Sequence, residues 1–137
     1  VGMALGALPG VHAMTDVTGF GLAGLLLEIC RGSGLGAHVA LADVPVIDVA
    51  AAFAQQGIVT GASGRNWAAY GASVALPSGA QPWQQAMVSD PQTSGGLLVS
   101  CAPQAVGAVL AAFHADGFAE AAVVGTLQAG AAEITFV

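Results

Sequence analysis

Apolar positions at helical spacing, Leu22, Leu25, Leu26 and Ile29, are followed by Gly32-Ser33-Gly34, so the pattern predicts a helix over residues 18–31 with a glycine-rich stop. Val39 and Leu41 alternate toward Asp43-Val44-Pro45, which predicts a short strand ended by proline. Val46 to Gln56 reads as a second helix. From Gly57 to Pro82 the chain is rich in Gly, Ser and Pro without a strong apolar period, so a long functional loop is expected there, with a strand around Ala72 to Leu76. A helical turn at Trp83 to Val88 leads to Leu97-Leu98-Val99-Ser100-Cys101, a compact apolar run expected as a strand buried on both faces. Pro103 suits the first turn of a helix reaching Ala115, and Ala121 to Gly125 and Glu133 to Val137 read as strands joined by a glycine-containing turn. Val1 to Val11 lacks the basic residues and readable cleavage site of a secretory leader and is taken as structure. The expected class is α+β, a mixed β-sheet covered by α-helices.

Composition narrows what such a domain can do. With 137 residues the chain forms one domain, residues 1–137, able to bury roughly two-thirds of its unfolded surface. Two basic against eight acidic residues give a formal charge of -6. That charge repels a nucleic-acid backbone and anionic lipid, so neither is an expected partner. Charged residues make up 7% of the chain, far below the roughly 25% of an ordinary soluble domain, which points to a surface covered in part by other protein. Glu28, Pro45, Gln55, Ser78 and Pro103 interrupt every long apolar stretch, so no membrane span is expected. Cys30 and Cys101 form no CxxC and lie in apolar segments; a disulfide framework has no support, and a reducing cytoplasm is the expected location.

Two polar, glycine-rich runs interrupt this apolar background, Thr15-Asp16-Val17-Thr18-Gly19-Phe20-Gly21 and Asp90-Pro91-Gln92-Thr93-Ser94-Gly95-Gly96. Each couples a carboxylate to hydroxyls and unhindered backbone, the groups that hold a hard cation and phosphate oxygens. Asp16, between Thr15 and Thr18 and ahead of a predicted helix, reads either as an oxygen ligand to a divalent cation or as a charge cap, with Thr18 as the N-cap. Thr93 and Ser94 with two glycine amides could surround an anion, although Asp-Pro and Gly-Gly equally suit a plain turn. The chain has no lysine, and its two basic side chains are Arg31 and Arg65, so a triphosphate would need cationic groups from elsewhere.

The two runs, in this order and at this separation, closely resemble the carboxyl-terminal domain of the selenophosphate synthetases (selenide, water dikinases), within the aminoimidazole ribonucleotide synthetase-like superfamily. The likeness extends through Leu26-Leu27-Glu28-Ile29-Cys30, Gly57-Ile58-Val59 and Arg65-Asn66 to Asp90-Pro91-Gln92-Thr93-Ser94-Gly95-Gly96-Leu97-Leu98, nearly the whole chain. The Asp90 to Gly96 run is its more specific part. The resemblance implies a two-domain enzyme, a homodimer when complete, that makes selenophosphate, AMP and orthophosphate from ATP, selenide and water with Mg2+. It further implies that Asp16 helps bind the magnesium and that Thr15, Thr18, Asn66, Thr93 and Ser94 lie near the nucleotide phosphates. No catalytic group is expected in this chain, because the family's nucleophilic cysteine or selenocysteine, its essential lysine and its other metal aspartates belong to an amino-terminal domain. The isolated chain is therefore expected to be inactive and to have that domain as partner.

Departures from the family pattern are Leu25, where many members have histidine, and Thr60, where proline commonly follows Gly-Ile-Val; the second is expected to alter only a loop. Arg65 reads equally as a phosphate contact or a polar turn. His12, His38 and His114 share no metal-binding spacing, and both cysteines read as small buried hydrophobes. Two other functions remain open at this point: a superfamily relative phosphorylating another substrate, and a non-catalytic stand-alone interaction domain.

Overall fold

The computed structural model describes all residues from Val1 to Val137. A short helix α1 (Gly2–Gly6) precedes strand β1 (Val11–Asp16), helix α2 (Gly21–Ser33) and strand β2 (Leu35–Val39). Then come α3 (Asp48–Gln55), α4 (Gly61–Tyr70), β3 (Val74–Ala75) and α5 (Pro82–Val88). The chain closes with β4 (Leu97–Cys101), α6 (Val106–Ala115), β5 (Gly125–Ala129) and β6 (Ile134–Phe136). Four strands form a mixed sheet in the order β3-β6-β2-β5, where β2 runs antiparallel to β5 and parallel to β6. β1 and β4 form a separate antiparallel ribbon. The expected α+β class with a mixed, helix-covered sheet is what the chain adopts.

The core lies between one face of the four-stranded sheet and the helices. Ala37 and Val39 of β2, Val74 of β3 and Ile134 and Phe136 of β6 meet Ala23, Leu26, Leu27 and Cys30 of α2, with Tyr70 of α4 and Val88 of α5 completing the cluster. These are alternate positions on the strands and recurring positions on α2, as a two-layer fold requires. On the opposite sheet face His38, Thr126 and Gln128 are exposed. Leu5, Ala105 and Val109 are buried under the ribbon end of the molecule.

Several sequence expectations shift. The helix expected over residues 18–31 is α2 and begins at Gly21, because residues 11–16 are committed to β1 and the next four form the connection. The second strand is Leu35–Val39 and ends where Leu41–Asp43 tightens into a 3-10 turn, so Pro45 does not terminate it. The expected strand at 121–125 starts only at Gly125. β4 is where it was expected, yet all five of its residues are half-buried, because its single strand partner is β1.

The largest difference is the expected loop of residues 57–82, whose middle is helix α4. Its buried positions are Ser63, Asn66 and Tyr70, one face at i, i+3 and i+7. A helix that buries polar side chains shows no apolar period. Thr60, the residue that departs from the family pattern, is its N-cap and accepts the Ser63 N–H at 3.3 Å. The substitution thus reaches beyond a loop: proline has no acceptor with which to cap the helix.

The ribbon continues past its strands as a backbone contact. Val17 donates its N–H to the Gly96 carbonyl at 2.8 Å, and Gln92 donates to the Thr18 carbonyl at 3.2 Å. A Cβ on Gly95 would overlap the Val17 carbonyl oxygen and lie 2.8 Å from its carbon, so only glycine permits the approach. One residue on, a Cβ at Gly96 would meet nothing within 4 Å. Gly95→Ala is therefore expected to cost about 2–4 kcal/mol in urea denaturation, and Gly96→Ala within about 0.5 kcal/mol. Equal losses for both would show that the contact is not tight.

Tyr70 is the one tyrosine of the chain, which makes its phenol separately observable. Burial pushes its pKa up from 10.0 to about 12, against a weaker opposing pull from the Gly24 backbone. The folded state thus holds the phenolic proton more tightly than the unfolded state, so this contribution to stability is complete below pH 10.0 and is lost as pH rises toward about 12. Near-ultraviolet phenolate titration, with circular dichroism confirming the fold, should give a midpoint near 12. A midpoint near 10.0 in the folded protein would contradict the burial, and Tyr70→Phe should remove this part of the alkaline loss.

Candidate functional site

The two polar runs converge. In the β1–β4 register Thr15 faces Leu98 and Asp16 faces Leu97, and the bonds from Val17 to Gly96 and from Gln92 to Thr18 carry the pairing into the loops. Gly21, at φ +70, fits where a Cβ would lie 2.7 Å from the Ser89 carbonyl carbon and 3.0 Å from Asp90 backbone atoms. Both runs are thus held by backbone contacts that exclude larger residues.

Helix α4 backs this junction. Asn66, 9% exposed, donates its side-chain amide to the Gly19 carbonyl at 2.8 Å and to the Ser89 carbonyl at 3.0 Å. Tyr70 donates its hydroxyl to the Phe20 carbonyl at 2.6 Å. The Asp90 carboxylate turns toward the start of the same helix, with Ser63 Oγ at 3.3 Å and Thr60 Oγ1 at 3.4 Å from its Oδ1. Loop carbonyls taken out of water are costly unless they receive donors, and Asn66 offers two from one side chain.

Asp16 stands exposed at the end of β1, and neither of the chain's two ion pairs involves it. It lies five residues ahead of α2, whose N-cap is Phe20 with no side-chain cap and whose first turn holds no acidic residue. The N-cap reading of Thr18 therefore fails. Thr15 is half-buried and donates its hydroxyl to the Asp16 carbonyl at 3.2 Å. Thr18 is half-buried, and its carbonyl serves both Gly21 and Gln92. Thr93 and Ser94 are exposed on the opposing run. Asn66 is on α4, with its side-chain amide nitrogen given to the two loop carbonyls; Arg65 beside it is exposed.

No group of three or more His, Cys, Asp or Glu side chains is placed to hold a metal ion. Hard divalent cations take about six oxygen ligands, so the chain fits at most a share of such a site, with Asp16 as its free carboxylate and Asp90 already engaged by α4. His12, His38 and His114 are all exposed, and His114 Nε2 lies 3.4 Å from the Ala121 carbonyl. Cys30 is buried and its thiol is pushed up by burial, which suits a core residue and opposes nucleophilic use. Cys101 is half-buried instead of fully enclosed.

Sequence reasoning missed Ser63 and Tyr70 altogether. The signal available was their spacing with Asn66, three polar or amphipathic residues on one helical face, preceded by a threonine suited to the N-cap.

Comparison with known proteins agrees with the motifs. The chain is similar to the selenide, water dikinase of Burkholderia ambifaria, 57% identical over 133 residues, covering 97% of the chain and 38% of that protein. It is 54% identical over 136 residues to the enzyme of that name from Paraburkholderia xenovorans, covering 99% of the chain and 38% of the relative. It is also 51% identical over 134 residues to that of Rhizobium meliloti, covering 98% and 38%. The chain thus spans under two-fifths of the length of these curated relatives. Residues 2–137 match the model described as AIR synthase related protein, C-terminal domain, and the chain belongs to that family.

Proposed function

We propose that the chain is the carboxyl-terminal domain of a selenide, water dikinase, in which it supplies Asp16 and nearby polar groups to a shared magnesium–ATP site. The observation that carries this reading is the junction of the two runs, in a chain 57% identical to a protein of that name. Asp16 projects from it as a carboxylate with no internal ion-pair partner. Magnesium, when bound, neutralises phosphate charge and so assists phosphoryl transfer. The part played by this chain is to present one anionic oxygen ligand and to fix its position. Thr15, Thr18, Thr93 and Ser94 offer hydroxyls near phosphate oxygens. Asn66 belongs to the same neighbourhood and acts there through the carbonyls it holds.

The domain lacks lysine, and its arginines are Arg31, which lies 3.9 Å from Glu28, and the exposed Arg65. Positive charge for a triphosphate therefore comes from the partner domain, which also carries the nucleophile. Val46, Ile47, Val49, Phe53, Ile58 and Val59 are exposed around α3, and such apolar surface suits cover by further protein. No helix is long and apolar enough to cross a membrane. In the complete protein we expect a cytoplasmic homodimer.

By itself the chain should form no AMP from ATP and selenide above a protein-free control. In a fusion to the amino-terminal part of the Burkholderia ambifaria relative, Asp16→Asn should lower selenide-dependent AMP formation at least about tenfold and raise the magnesium required, since the near-isostere removes the charge that the cation uses. Its melting temperature should stay within a few degrees. A variant with normal magnesium dependence and a large loss of stability would make Asp16 structural.

A further inference from the structure

We infer that Asn66 is a positioning residue for the proposed magnesium–phosphate site, the central tooth of a polar latch on α4 that fixes the Asp16 run against the Asp90 run. The inference rests on the metal reading of Asp16. Its observations are separate: the side-chain amide of Asn66 spans two carbonyls 70 residues apart in sequence, Gly19 and Ser89, each within three residues of a motif carboxylate.

The latch has three points on one helical face. Ser63, with the N-cap Thr60, meets the Asp90 carboxylate; Asn66 meets the Gly19 and Ser89 carbonyls; Tyr70 meets the Phe20 carbonyl. Three consecutive loop and junction positions, Gly19, Phe20 and Gly21, are thereby fixed by hydrogen bonds or by close packing on Ser89–Asp90. The connection from Asp16 to α2, residues 17–20, contains one glycine, Gly19, and leads into a helix start with no side-chain cap, so little within its last residues determines their path. Asp16 itself is held in β1 opposite Leu97, with the Val17–Gly96 bond directly after it, and α4 adds to this the positions of Gly19 and Phe20 downstream of Asp16 against Ser89 and Asp90. An apolar helix face could press on these loops but could not select carbonyl positions, because dispersion is non-directional whereas the amide requires both acceptors near 3 Å.

Asn66→Asp tests this with almost no change of volume, since it replaces the donating amide with a second acceptor facing two carbonyls. Amide hydrogen exchange on the chain should then accelerate at least about tenfold at Gly21 and Gln92, whose N–H groups both bond to the Thr18 carbonyl, while Ala37 and Val137 in the four-stranded sheet change within about twofold. Should this variant not fold, Tyr70→Phe removes a single tooth and is expected to accelerate exchange at Gly21 alone. In the fused full-length protein, Asn66→Asp should raise the half-saturating magnesium concentration about tenfold, by more than it lowers the rate at saturation. Uniform acceleration of exchange, or none, overturns the latch, and an unchanged magnesium requirement beside locally faster exchange makes Asn66 merely structural. Asp16→Asn separates the two ideas: normal magnesium dependence there removes the metal reading and this inference with it, whereas an impaired Asp16→Asn beside an unaffected Asn66→Asp removes this inference alone.

Discussion

The approach of one loop backbone to another, Val17–Thr18 against Gln92–Gly96, is the constraint on which the site depends. Two hydrogen bonds hold it, and Gly95 makes it possible because any side chain there would occupy the Val17 carbonyl. The contact extends a ribbon of only two strands, which alone would be marginally stable in water. Its support comes from the remainder of the domain through α2, whose first residue Gly21 packs on Ser89–Asp90, and through α4. The main core and the candidate site are thereby joined: Tyr70 is a member of the buried cluster and also a donor to the loop.

Charge poverty shapes what this junction can do. Eight acidic and two basic residues leave the domain able to offer oxygen acceptors and carboxylates but almost no cations. A phosphate approaching Asp16 alone would be repelled, and the arrangement becomes favourable only when a divalent cation and basic groups stand between the carboxylate and the phosphate. The same shortage of charge leaves apolar side chains such as Ile47, 73% exposed, on the surface. Electrostatic incompleteness and uncovered apolar surface are two consequences of one composition, and both fit a chain that spans 38% of its relatives' length.

What the sequence made legible follows from which interactions leave a pattern. Helix α2 was readable from the apolar spacing of Leu22, Leu25, Leu26 and Ile29 and from its glycine-rich stop, where Gly34, left-handed at φ 68, caps its end; the face it turns to the core is the adjacent one, Ala23, Leu26, Leu27 and Cys30. β4 was readable as an apolar run, although its burial was not, since burial depends on how many strands join it. Asp16 and the Asp90 run stood out by composition, yet their contact comes from pairing between segments some 80 residues apart and could not be read from either alone. Helix α4 was hidden because its inward face is Ser63, Asn66 and Tyr70, which a search for apolar periodicity passes over.

That hidden helix also shows why a polar core face is used where an apolar one would be easier to fold. Each buried donor on α4 is matched to a particular carbonyl or carboxylate, and no fully buried side-chain nitrogen or oxygen lacks a partner. Net stabilisation from such bonds is modest, about 1 kcal/mol each, whereas breaking one strands its partner at about 1–3 kcal/mol. Polar burial of this kind adds less to the depth of the native state than to its selectivity among loop positions. On the proposed reading, a ligand set divided between domains would depend on that selectivity, because one displaced carboxylate would leave the cation's shell incomplete however well the rest of the domain is folded.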